Sequence, residues 1–308
     1  MLAKNVELWC MKKKFTKTSI FSIVGSLIVV AGGTTLGLWL GRKYFTYDVP
    51  NVEINEHDDE LYEKYLLLQK TNASMSKLID EFRPYQLVKL GFMNFEKTPY
   101  AQITSTGTVN AAVANQNVSS KYIKTNDGYF SESLSSGLMK IAWRFYQIDD
   151  EIKVYRSDNL IDTNSAEWPN EVKETYNSDS FKETWGKNLK LPLIYTLNQL
   201  TVDAEDENST IDDDNIIVNL SLKPELSTVN YGKQMKKTSG LSDVPTFKQV
   251  TLKFTLSKNL TIIKNEIYEE YIVQFHVLPV STTGTITEQY TYLDNISIPS
   301  LSEDADYN

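Results

Sequence analysis

Residues Ile20–Leu40 run for 21 positions without a charged side chain, between Lys12, Lys13, Lys14 and Lys17 on one side and Arg42 and Lys43 on the other. As a helix such a run rises roughly 31 Å, which matches a hydrocarbon core of about 30 Å. It is longer than the roughly 7–15 apolar residues of a cleaved signal peptide, so it reads as an uncleaved anchor carried by Ile20, Leu27, Val30, Leu36 and Leu40; cleavage at Ala31-Gly32-Gly33 is the competing reading. Five lysines precede the run and two basic residues follow it. That asymmetry places the N-terminus in the cytoplasm and the rest of the chain outside the cell membrane, in single-pass topology. Gly33, Gly37 and Gly41 recur at a spacing of four, the pattern that lets two membrane helices approach closely, and give a candidate face for a homodimer.

The boundaries that follow are a basic cytoplasmic segment 1–19, the transmembrane helix 20–40, a linker 41–57, an extracytoplasmic domain 58–295 and an acidic tail 296–308. The net charge of -9 hides a division. Residues 1–43 hold seven Lys/Arg and one acidic residue, which leaves 24 basic against 39 acidic side chains, or -15, for the remainder. A domain so acidic is a poor match for phosphate backbones, and nucleic acid is excluded as its main partner. The single cysteine, Cys10, precedes the apolar run, so the outer domain relies on its core rather than on disulfides.

Beyond the linker, Leu61, Tyr65, Leu68, Asn72, Met75, Ile79 and Phe82 recur at spacings of four and three, the signature of one amphipathic helix of about 25 residues that stops at Pro84. It reads either as a helix docked on its own sheet or as a parallel coiled coil with Asn72 in its seam. Tyr85–Lys97 suggests a second short helix. From Tyr100 the period becomes two. Ala101–Val113 is a long strand with a face of small residues, followed by strands over Val118–Thr125, Tyr129–Ser135, Leu138–Gln147 and Glu151–Arg156, with a hairpin turn at Asn126-Asp127-Gly128. Ser157–Asn177 reads as a loop over the sheet. Ser180 and Glu183 stand at capping-box spacing and start a short helix over Phe181–Leu189. Leu193–Leu200 is read as helical and Asp203–Asn215, with seven acidic residues, as a loop. Ile216–Leu222 is a strand and Ser227–Thr238 a helix ended by Gly240. Val250, Leu252, Phe254 and Leu256 share one face of a hairpin whose return carries Ile263, Ile267, Tyr271, Val273 and Phe275, and Thr283–Tyr292 is the last strand. This order favours an α+β fold with a curved antiparallel β-sheet and packed helices.

No stretch reaches the specificity of a catalytic, cofactor or metal motif, and an enzyme is not the expectation. His57 and His276 are isolated. Ser74-Met75-Ser76-Lys77 has the spacing of penicillin-recognising serine enzymes, but Lys237-Thr238-Ser239-Gly240 carries an inserted residue and Ser242-Asp243 lacks the partner Asn. Asp212-Asp213-Asp214 lacks the alternation, glycine and terminal glutamate of a calcium loop.

The amphipathic helix, the small-residue strand Ala101–Val113 and the late hairpin Val250–Leu256 with its return from Ile262 together resemble the bacterial lipoprotein-carrier half-barrels, although no lipobox cysteine follows the apolar run. The chain is also similar in pattern to single-span surface proteins of low-GC Gram-positive bacteria. The half-barrel resemblance implies a curved sheet that wraps helices and holds a lipid or acyl chain between them. Two functions follow: binding of an apolar or envelope-derived ligand in the sheet concavity, or an envelope structural or assembly role through protein contacts. The partners expected are the bilayer, an apolar ligand and a second copy of the chain.

Overall fold

The computed structural model describes residues 58–300, apart from 112, 113, 138, 276 and 277. The expected span Ile20–Leu40 with its anchor residues, the glycines Gly33, Gly37 and Gly41, and both histidines lie outside the described residues. Among the described residues no helix is long and apolar enough to cross a membrane.

Eleven strands follow one another as β1 (Ala101–Ala111), β2 (Ala114–Lys124), β3 (Gly128–Gly137), β4 (Ile141–Ile148), β5 (Glu151–Ser157), β6 (Glu174–Asn177), β7 (Asn208–Asp212), β8 (Asn215–Leu222), β9 (Thr246–Ser257), β10 (Ile262–Phe275) and β11 (Leu278–Tyr292). They form one curved antiparallel sheet in the order β6-β5-β4-β3-β2-β1-β11-β10-β9-β8-β7. The first and last strands thus meet at its centre, and each arm is a meander of sequence neighbours. Both edge strands are short, which limits pairing with another chain.

Three helices, α1 (Asp59–Lys70), α2 (Met75–Glu81) and α3 (Pro84–Lys97), precede the sheet; α4 (Ser178–Trp185) lies between its arms in sequence, and α5 (Pro224–Ser227) and α6 (Val229–Ser239) lie between β8 and β9. The inner face of the sheet takes these helices. Leu252, Phe254 and Leu256 of β9 and Ile216, Val218 and Leu220 of β8 are buried under α3 with Leu87, Leu90 and Phe95. Each such side chain withdrawn from water contributes roughly 1.5–3 kcal/mol. Gly91 is needed where α3 crosses the β9–β10 turn, because a Cβ there would lie 2.9 Å from Ile262 Cγ1 and 3.2 Å from the Leu260 carbonyl oxygen. On the other arm Phe181 and Trp185 of α4 pack against Val154 and meet the rings of Trp143 and Phe145 edge to face. The outer face of β2–β5 is covered by the 158–173 loop, whose Trp168 joins Ile123, Phe130, Tyr146 and Tyr155. Ile296 and Ile298, in the segment read as tail, pack on the same outer cluster.

Several expectations are corrected. The 25-residue helix is two helices. Asn72 takes a left-handed conformation (φ 51°), Ala73 N–H donates to the Leu68 carbonyl and Asn72 N–H to that of Gln69, which closes α1 with a Schellman motif. Ser74 then caps α2 by accepting from Lys77 N–H at 3.2 Å. A coiled-coil seam is also ruled out, since Leu61 and Tyr65 are buried in the chain's own core and Tyr65 donates its hydroxyl to the Asn259 carbonyl at 2.7 Å. Leu61 and Tyr65 are therefore not available to a homodimer along this seam. The cap of α4 is Asn177, three residues ahead of the expected start, and it exchanges hydrogen bonds with Ser180. Leu193–Leu200 is not helical: Asn198 accepts from the N–H groups of Leu200 and Thr201 and folds the segment into a turn. The acidic stretch holds the β7–β8 hairpin, invisible to alternation because an exposed edge strand buries neither face. Ile262 rather than Ile263 faces the core, since the β9–β10 register shifts between Ile262 and Lys264. Gly240 ends α6 in the left-handed conformation as expected.

Candidate functional site

Between the two helix-covered flanks, the inner face carries a different kind of surface. One cross-strand row runs Asn265, Glu288, Ser105, Ser120 and Ser133 over β10, β11, β1, β2 and β3. The next runs Ile267, Ile286, Gly107, Val118 and Ser135. On β1, β2 and β3 these side chains, Ser105, Gly107, Val118, Ser120, Ser133 and Ser135, are small. Phe254 on one flank and Phe145 on the other are 0% and 1% exposed, whereas Glu288, Ile286, Gly107, Val118, Ser120 and Ser133 are only half-buried. The middle of the inner face is therefore a strip less fully covered than its flanks, which we call the trough. Its roof is the 187–197 segment and α6, where Leu191, Leu193 and Ile194 are half-buried and the rings of Tyr195 and Tyr231 meet edge to face at 5.5 Å.

Two carboxylates line this region from β10 and β11. Glu269, 1% exposed, accepts the hydroxyl of Tyr195 on Oε1 and that of Tyr231 on Oε2 at 3.5 Å. Loss of water outweighs these bonds and pushes its carboxyl up to about 7, so it stands near half-protonated at neutral pH. Burial raises Glu288 too, against bonds from Asn265 Nδ2 at 2.9 Å and Tyr290 at 3.2 Å. Asn265 is fully buried and its Oδ1 has no hydrogen-bond partner. Opposite them, on the β3 side, Lys187 reaches inward from the residues after α4. Its ammonium donates to Ser131 Oγ at 3.1 Å and lies 4.8 Å from the centre of the Phe145 ring. Burial alone holds it down at about 8. A lysine that shares its pocket with one hydroxyl and one ring, with no carboxylate in reach, is costly to keep inside.

Three ionisable groups without counter-charges on one inner face make it the candidate site, since structural interiors avoid such groups. The sequence held part of this signal: Glu269 and Glu288 occupy apolar-parity positions, between Ile267 and Tyr271 and between Ile286 and Tyr290. Nothing near Lys187 marks it. The other sequence candidates disperse. Lys237 pairs with Glu174 at 3.0 Å, and Ser74 and Lys77 serve as cap and as partner of Glu81. Among the described residues no cluster of His, Cys, Asp or Glu is arranged to hold a metal ion.

A cleft of about 920 Å³ also lies on the outer face, lined by Thr106, Thr108, Thr251, Tyr268, Thr285 and Thr287 and by the Lys253–Glu266 pair. These are the outward, polar positions of β1, β9, β10 and β11, and their hollow follows the sheet's twist. It is not the apolar concavity that the sequence led us to expect.

No family model matches the chain, and no curated protein does. Among solved structures it is similar to the Mycobacterium tuberculosis lipoprotein LppX, at 7% identity and a TM-score of 0.35, over 70% of this chain and 98% of that one. It is also similar to a DUF1329 family protein from Desulfovibrio piger, at 9% identity and a TM-score of 0.26, over 70% and 93%. Superpositions this loose transfer neither a fold family nor a ligand.

Proposed function

We propose that this chain is a membrane-anchored, extracytoplasmic binding protein that holds an amphiphilic, envelope-derived molecule in the trough between β10 and β3 and acts by binding, not by catalysis. The observation that carries the reading is the half-buried strip of Gly107, Val118, Ser120 and Ser133 beside flanks that are fully buried. A fold with no occupant there gains by filling such a strip with larger apolar side chains, since packed interiors leave few voids. The anchor and the outer location rest on the uncharged run Ile20–Leu40 and on the lysines before it. Native mass spectrometry of the full chain, released from membranes in mild detergent, tests the reading. A discrete adduct in the mass range of a single amphiphile supports it; a bare polypeptide mass, with no uptake of added lysolipid or fatty acid, overturns it.

A further inference from the structure

We infer that Lys187 is the head-group anchor of this trough and that the bound molecule carries an anionic terminal group, a carboxylate or a phosphate monoester, on an apolar chain. The inference rests on the binding reading above and adds the charge of the ligand. Among the described residues, Lys187 is the one cation whose ammonium stands over the inner face near the small-residue strip without an acidic partner: its contacts are Ser131 Oγ at 3.1 Å and the Phe145 ring at 4.8 Å. Neighbouring lysines of the same interior are accounted for. Lys124 donates to the carbonyls of Phe95 and Thr98 and closes the C-terminus of α3, and Lys237 is paired with Glu174. Ser131 and Ser133 occupy successive inward positions on β3; Ser131 pairs with Tyr122 and Phe145, so the ammonium stands one row away from the one that leads from Ser133 through Ser120 to Ser105. An anion here gains a charge-assisted hydrogen bond in a desolvated setting, with the serine hydroxyls as further donors. The chain then lies along Val118, Gly107 and Ile286. Burial shifts the two glutamates at the far wall toward their protonated forms, which weakens their repulsion of an anion.

The test uses the full chain in detergent and three probes of equal chain length: palmitate, hexadecyl phosphate and hexadecanol. The wild type should bind either anion at least about thirtyfold more tightly than the alcohol, the loss expected when one partner of a buried charge pair is removed. Lys187→Met should abolish that preference while it keeps hexadecanol binding, and Lys187→Arg should retain it. Equal binding of anions and alcohol by the wild type overturns the anchor role and leaves the binding reading standing. An unchanged preference in Lys187→Met does the same. Failure of all three probes to bind the wild type overturns both. Preference for one anion over the other identifies which terminal group the site reads. The comparison of probes on the wild type needs no variant, so a misfolded Lys187→Met does not spare the inference.

Discussion

The Tyr195 hydroxyl donates to Oε1 of Glu269, joining a turn-rich segment with no regular structure of its own to the inner face of β10. The bond fastens the roof of the trough to its floor, and both residues are buried, at 0% and 1% exposure. It also sets the first prediction. The folded Glu269 carboxyl keeps its proton up to about pH 7, whereas an unfolded glutamate releases it near 4.5. The folded state thus binds more protons in that window, and stability falls as pH rises from about 4.5 to 7 and levels off above it. Glu288 pulls the same way. The drop is on the order of 3 kcal/mol for Glu269. Urea midpoints at pH 5 and pH 8 measure it, and Glu269→Gln should flatten most of the difference.

Tyr195→Phe removes the nearer of the two hydroxyls on Glu269 and leaves only Tyr231, at 3.5 Å. A buried acceptor stripped of its donor costs about 1–3 kcal/mol. The midpoint should fall by that amount at pH 8 and by less at pH 5, where the carboxyl is neutral. An equal loss at both values would detach the bond from the carboxylate's charge.

Gly91→Ala sets helix propensity against packing. In an exposed helix the change gains up to about 1 kcal/mol. Here the added methyl meets Ile262 Cγ1 at 2.9 Å and a carbonyl oxygen at 3.2 Å. Overpacking of about 1–3 kcal/mol should win, and thermal unfolding should show a lower Tm.

The same positions show what sequence could reveal. Val250, Leu252, Phe254 and Leu256 alternate because one face of β9 is covered and the other wet, so the strand and its facing were legible. The break at Asn72 was not, because Leu61, Tyr65, Met75, Ile79 and Phe82 keep a helical period across it while the decision lies in local caps at Asn72 and Ser74. The acidic strand β7 buries neither face and leaves no pattern. Tyr195 reads as one apolar position in a helical-looking run; its part in the site depends on Glu269, 74 residues away, and no local spacing records that. The carboxylates at 269 and 288 did break the apolar parity of their strands. Lys187 breaks no pattern, since its surroundings come from β3 and β4.

Lys187→Met should stabilise the unliganded protein by about 1–3 kcal/mol, because it removes a buried charge that has no counter-ion. Lys124→Met should do the opposite, since that ammonium satisfies carbonyls at the end of α3. Denaturant midpoints of the two variants, compared at pH 7, read the sign directly.

The central claim is that the strip between β10 and β3 is occupied space. Ser120→Phe with Ser133→Phe places two rings into it from adjacent strands, at positions that are half-buried. Titration of the full chain with the fluorescent fatty acid cis-parinaric acid, wild type against this double variant, is the most direct measurement. The account predicts saturable binding by the wild type, weakened at least about tenfold in a variant whose unfolding midpoint is unchanged. Binding that survives the two rings undiminished would contradict it.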